Sequence, residues 1–169
     1  VGDYVRVGLR FSDAEALAID PAEAWFVGAM LGDGHCRGKK SVAFSNTSGG
    51  VLSAMRSFTA ARGLEMRQNT NNHSNWYFVG RARLANTIPG EDETPNIART
   101  ILRPYGILGT RSHTKFVPDK IHKAIPIAKA AFLAGLWDTD GTVSKPTASQ
   151  PRLALCSVSI RLLKDVQHL

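Results

Sequence analysis

Cysteine is nearly missing: Cys36 and Cys156 are the only two in 169 residues. Neither belongs to a CxxC pair, so no zinc site rests on them and no disulfide framework can be built; a reduced, cytoplasmic setting with two free thiols is expected. No run reaches the roughly 18–20 apolar residues of a membrane span, and residues 130–137 are closed in by Lys129 and Asp138. Residues 1–9 carry polar side chains throughout and give no signal-peptide pattern. Acidic side chains are the minority, 14 against 21 Lys and Arg, for a net charge of +7. That excess favours a polyanionic partner. Nor is there a Ser-His-Asp order for acyl transfer. His35 with Cys36 is half of a zinc pair without its second half, and His113 and His122 read as surface or core histidines. The glycines of residues 32–38 (GDGHCRG) miss a dinucleotide fingerprint by one position and follow a helix, where that fingerprint must follow a strand.

With 43% apolar residues the chain can bury a core as one domain or two small halves. Its organising stretch is residues 132–141, FLAGLWDTDG, a short apolar helix with a glycine inside it that runs into Asp-Thr-Asp-Gly. Glycine inside a helix costs about 1 kcal/mol relative to alanine, so Gly135 points to a backbone pressed against a neighbour. Gly141 is placed to stop the helix as a left-handed cap. Asp140 is then left at the C-terminal tip, where the helix's partial negative charge makes a carboxylate want a cation. Residues 26–34, FVGAMLGDG, repeat the pattern. With Asp33 laid on Asp140, at an offset of 140 − 33 = 107 residues, Gly28 meets Gly135, whereas Asp138 meets Leu31. Such an offset is too wide for a solenoid and fits two halves of a domain. Packed glycine to glycine, the two helices bring Asp33 and Asp140 together as a hard, oxygen-rich site for a divalent ion.

Both stretches resemble the LAGLIDADG motif, the second more closely, as LAGLWDTDG at residues 133–141. The resemblance implies a homing endonuclease of the two-motif, intein-embedded type. It also implies an α+β fold in which an αββαββα unit with a concave antiparallel sheet is repeated about a pseudo-two-fold axis. Residues 1–20 are a lead-in, 21–126 the first half and 127–169 the start of a second half that is expected to be incomplete. No splicing nucleophile stands at the start and no His-Asn at the end, so self-splicing by this chain alone is not expected.

Read in order, residues 1–10 alternate as a strand, 12–18 form a polar-start helix, and Pro21 opens the first motif helix. Residues 34–40 read as a turn and 41–46 as a strand; 50–63 form a helix ending at Gly63, and 64–70 with 76–81 form a hairpin. After an acidic loop at 90–95, residues 96–105 are helical, 106–117 extended and 118–124 a helical turn before Pro126 opens the second motif helix. Strands at 142–145 and 153–157 and a helix from 160 close the chain.

By the resemblance, Asp33 and Asp140 hold Mg²⁺ or Mn²⁺ together with Gly32 and Thr139. Lys115, in KFVPDKI, matches the family's Lys-x-x-Pro stretch and supports the nucleophilic water or the phosphate electrostatically. Gly28 and Gly135 form the helix interface. Double-stranded DNA with a long recognition site is the implied partner, cut across the minor groove to leave short 3′ overhangs. Its contacts are expected from Arg37, Lys39, Lys40 and Lys145 after the motifs, and from Arg67, Gln68, Asn69, Arg81 and Arg83 on the sheet. A host protein in cis follows if the chain is an intein domain. Pseudo-symmetry implies a monomer, with a dimer as the alternative if another chain completes the second half. The second functional reading is a cleavage-deficient DNA- or RNA-binding domain: a degenerate remnant, a maturase or a regulator.

Overall fold

The computed structural model describes residues 16–36, 42–80, 96–144 and 152–169. The expected strand at 1–10, the acidic loop at 90–95, and Arg37, Lys39, Lys40, Arg81, Arg83 and Lys145 lie outside the described residues.

In chain order the elements are α1 (Pro21–Asp33), β1 (Gly34–His35), β2 (Ala43–Ser45), α2 (Gly49–Ala60), β3 (Leu64–Gln68), β4 (Asn75–Gly80), α3 (Ile97–Leu102), α4 (Asp119–His122), α5 (Pro126–Asp140), β5 (Gly141–Ser144), β6 (Arg152–Leu155) and α6 (Ile160–Gln167). The fold is α+β with wholly antiparallel pairing between strands. One sheet has four strands in the order β1-β2-β4-β3, and β5 pairs with β6 in a second.

Both long helices start on proline, whose missing N–H is an orphan there in any case. The Asp20 carboxylate accepts from Ala22 N–H at 3.0 Å and caps the first. Having apolar residues almost all round, α1 buries seven side chains or backbones from Ala24 to Leu31, as a central helix must. Across it lies α2, whose Val51, Leu52, Met55 and Phe58 share one face. Phe26 stacks on Phe58 with centroids 4.3 Å apart and meets Phe78 of β4 edge-on at 5.9 Å, joining both helices to the sheet.

Pairing register assigns the two faces of the sheet. Phe44, Trp76, Phe78, Leu64 and Met66 line the core face; His35, Ser45, Asn75, Tyr77 and Arg67 line the other. Gly63 turns the chain at φ 70° into β3, in agreement with the helix stop read at that residue.

Five expectations are corrected. Gly141 is extended, at φ −85° and ψ 155°, and so is Gly34 at φ −80° and ψ 139°. Each motif helix passes straight into a strand, which needs no left-handed residue, and Gly34 and His35 are β1 instead of part of a turn. The glycine is required for clearance: a Cβ on Gly141 would meet the Trp137 carbonyl oxygen, and one on Gly34 the Met30 carbonyl oxygen. Residues 16–18 are not helical, because Leu17 donates to the Lys123 carbonyl at 2.7 Å and accepts from Ile125 N–H at 3.0 Å. In the extended segment 106–117, residues Ser112–Thr114 form a 3-10 turn. The third helix tightens to 3-10 over Arg103–Tyr105, where Pro104 supplies no N–H.

Both cysteines are free, Cys36 buried and Cys156 exposed. Burial pushes the Cys36 thiol up to about 11, and the thiolate is the reactive form. Iodoacetamide at about pH 8 is therefore expected to alkylate Cys156 in the native protein and to spare Cys36 until denaturant is added, as read by peptide mass.

Candidate functional site

The site is built on how closely α1 and α5 approach. A Cβ on Gly28 would overlap the Phe132 carbonyl oxygen and press on Leu136 N; one on Gly135 would overlap the Trp25 carbonyl oxygen and press on Ala29 N. These contacts exchange under the 107-residue offset, since Trp25 corresponds to Phe132 and Ala29 to Leu136. The helix pair thus has a local two-fold relation. On that axis Gly32 faces its own counterpart, Thr139, whose side chain a Cβ on Gly32 would strike. The Thr139 hydroxyl turns back to the Gly135 and Leu136 carbonyls of its own helix at 3.1 and 3.0 Å. Asp138, which has no acidic counterpart, accepts from Trp25 Nε1 at 2.9 Å and ties the helices together.

Close approach sets the two terminal carboxylates near one another. The Asp33 carboxyl is raised from its ordinary value, first by burial and further by the Asp140 charge; Asn46, Lys115 and His35 work in the opposite direction. Lys115 bridges the helix ends: its ammonium donates to the Gly32 carbonyl at 2.7 Å and lies 3.3 Å from Asp140 Oδ2, with side-chain exposures of 16% for Lys115 and 24% for Asp140. An ammonium has three N–H groups, so one donor remains.

Chain separation hid a further residue, Asn46. Its Nδ2 donates to Asp33 Oδ2 at 2.7 Å, its Oδ1 accepts from Ser48 N–H at 2.7 Å, and its carbonyl accepts from Trp76 Nε1 at 3.2 Å. With its Oδ1 held by the Ser48 amide and its backbone held by Trp76, the side-chain amide orients the carboxylate it touches. The available signal was its place at the end of the strand following the first motif. Asn46→Ala is expected to weaken divalent-ion affinity about 10–100-fold, the usual cost of losing a hydrogen bond to a ligating carboxylate, measured by titration calorimetry.

Acid should act on the same carboxylate. Being raised, the Asp33 carboxyl holds its proton more tightly in the folded than in the unfolded chain. That contribution to stability is complete below the unfolded value of about 3.9 and is lost as pH rises through the folded one. Cation binding needs the ionised form, so its affinity is expected to fall on acidification at a pH above that of an ordinary carboxylate, read by titrating Mn²⁺ at a series of pH values.

Beside Asp33 lies a cavity of about 580 Å³ whose lining includes His35, Ser45, Arg111, Ser112, His113 and Lys115. Ser45 hydrogen-bonds His35 Nε2 at 2.7 Å and also Asn75, so a polar chain crosses β1, β2 and β4 and leads the outer sheet face into the cavity. Arg67 stands on that face opposite Tyr77, whereas Gln68 points the other way by strand alternation and donates to the His73 carbonyl at 2.7 Å. Asn69 donates to the Tyr77 hydroxyl at 2.9 Å while its Oδ1 accepts the Asn71 and Asn72 amides. The structure therefore brings Arg67 and Asn69 together around Tyr77 and separates Gln68 from them.

Among the described residues no group of three or more His, Cys, Asp or Glu side chains converges on one point. Two carboxylates remain, a donor set that suits a hard cation completing its shell with water and substrate phosphate. No helix among the described residues is long and apolar enough to cross a membrane.

Comparison with known proteins gives matches of two kinds. Residues 128–169, which span most of α5, both strands of the second sheet and α6, match the family model of a LAGLIDADG-like domain. The chain is also similar, at 27% identity over 171 aligned positions, to a replicative DNA helicase DnaB from Rhodothermus marinus; the alignment uses 99% of this chain and 18% of that protein. A second similarity, 40% identity over 65 positions, is to a replicative DNA helicase DnaB from Synechocystis sp. (strain ATCC 27184 / PCC 6803 / Kazusa), covering 37% of this chain and 8% of that protein. The chain spans less than a fifth of the length of either relative.

Proposed function

We propose that this chain is the metal-dependent, site-specific double-strand DNA endonuclease domain of an intein. The observation that carries the reading is the pair Asp33 and Asp140 at the ends of two reciprocally packed helices, with the Lys115 ammonium between Asp140 and the Gly32 carbonyl. A match that uses nearly all of this chain and less than a fifth of a much longer protein fits a segment carried inside a host polypeptide.

In this reading Asp33 and Asp140 hold Mg²⁺ or Mn²⁺, with Gly32 and Thr139 beside them; the Gly32 carbonyl oxygen keeps a lone pair beyond its bond to Lys115. When bound, the ion supplies Lewis-acid polarisation of the scissile phosphate and lowers the pKa of an attacking water. The chain's own groups do the remainder. Asn46 holds the Asp33 carboxylate in one orientation, and Lys115 places a fixed positive charge where phosphoryl charge grows. Arg67, Tyr77 and Asn69 line the outer sheet face as a surface for the DNA groove, and the net charge of +7 draws the duplex in.

The test is digestion of a plasmid library of random inserts by the protein with Mg²⁺ and with EDTA, sequencing the ends. Cuts that need metal and cluster at one long site are the expected result. Salt-sensitive DNA binding without cuts would overturn cleavage and leave the binding-domain reading.

A further inference from the structure

Residues 115–117 lie between the 3-10 turn Ser112–Thr114 and α4, in no regular element of their own. Three groups of α6 and its cap hold them, one per residue. The Ser159 hydroxyl donates to the Lys115 carbonyl at 2.6 Å. The Arg161 guanidinium lies 4.6 Å from the centre of the Phe116 ring. Asp165 Oδ2 accepts from Val117 N–H at 3.0 Å, with Arg161 Nε 3.7 Å away. Ser159 is fully buried, and its oxygen also accepts from Leu162 N–H at 3.2 Å, so one atom both caps α6 and grips the lysine's backbone. Leu162, fully buried, anchors the helix.

We propose that α6 positions Lys115 for catalysis through Ser159 and Asp165; this rests on the reading of Lys115 as the charge that faces the scissile phosphate. A lysine side chain has four rotatable bonds, and a free backbone at its root would multiply the positions its ammonium samples. Fixing the carbonyl of residue 115 and the amide of residue 117 removes that motion. Ser159 and Asp165 are positioning residues, acting through Lys115 and touching no substrate. They also tie the segment that carries the lysine to the helix that follows β5 and β6.

The experiment compares Ser159→Ala and Asp165→Ala with the conservative Ser159→Thr and Asp165→Asn, with Lys115→Met as the reference. Thr keeps a hydroxyl and Asn keeps an acceptor for the Val117 amide. Readouts are amide hydrogen exchange at Val117, DNA affinity, and single-turnover cleavage of the site recovered from the plasmid library. Both alanine variants are expected to exchange Val117 about 10-fold faster and to cut about 10–100-fold more slowly at unchanged DNA affinity, with the conservative pair within about 3-fold of the unsubstituted protein. A purely structural role would instead lower affinity and rate together. Unchanged cutting by both alanine variants while Lys115→Met is inactive, or unchanged Val117 exchange, overturns the role of α6 and leaves the endonuclease reading standing. Unreduced cutting by Lys115→Met overturns the role given to the lysine and with it this proposal. If the unsubstituted protein does not cut at all, the endonuclease reading fails, and Val117 exchange alone shows whether α6 holds the segment.

Discussion

Asp33→Asn and Asp140→Asn are each expected to reduce metal-dependent cleavage by about a thousandfold or more while leaving salt-sensitive DNA binding in place. Asparagine keeps the shape and one oxygen but loses the charge that draws a divalent ion, and neither position lies among the residues lining the outer sheet face. Cutting by either variant at an undiminished rate would remove the mechanism. The two should part company in stability when measured in EDTA. Asp33 is a carboxylate whose burial and Asp140 neighbour both disfavour its charge, so neutralising it relieves the folded state. Its thermal midpoint is expected to rise by about 2–4 °C, the usual sign of a functional group held at a cost to stability. Asp140 is the ion-pair partner of Lys115, whose side chain is only 16% exposed. Removing its charge takes from that ammonium the ion-pair partner it has among the described residues, and the midpoint of Asp140→Asn is expected to fall.

Gly135→Ala should be among the most damaging single-carbon changes in the described chain, together with its counterpart at Gly28. The new Cβ would land on the Trp25 carbonyl oxygen and crowd Ala29 N, both backbone atoms of the opposing helix that cannot turn aside as a side chain would. The helices must separate, and separation withdraws the Asp140 carboxylate from Asp33. A loss of about 3 kcal/mol or more is expected in urea unfolding, at the upper end for overpacked cores. Gly50→Ala is the control. It sits near the start of α2 with nothing within 4 Å of the added carbon, and is expected to be neutral or stabilising by up to about 1 kcal/mol. Equal losses in the two variants would show that helix propensity, not clearance, governs Gly135.

The motif helices were legible because their constraint is local and double: a glycine among apolar residues and a terminal Asp-Gly, written twice. The stop at Gly63 was legible for the same reason, since a left-handed residue is almost always glycine. Gly141 misled because glycine answers two needs, positive φ and closeness, and sequence does not say which; here the Trp137 carbonyl imposes the second. Leu17 misled because its partner, Ala124, lies far along the chain, and a bridge of that kind leaves no periodicity. Asn46 carries no motif; its meaning is a hydrogen bond to a carboxylate 13 positions earlier, fixed by where β2 happens to end. The grip of Ser159 on the Lys115 carbonyl spans 44 positions and is equally silent in the sequence. Among the residues expected on the DNA-facing surface, strand alternation alone could have separated Gln68 from Arg67.

The offset between the two motifs also bears on when in folding the candidate site can form. Hairpins such as β3–β4 close over a few residues and α2 packs on β3 nearby in sequence, whereas the α1–α5 contact must close a loop of about a hundred residues before any of its packing is gained. The two carboxylates meet only when that long loop closes. A nascent or half-folded chain holds Asp33 and Asp140 apart, so on the proposed endonuclease reading it would bind DNA by charge without the means to cut it, and assembly itself would be the safety catch.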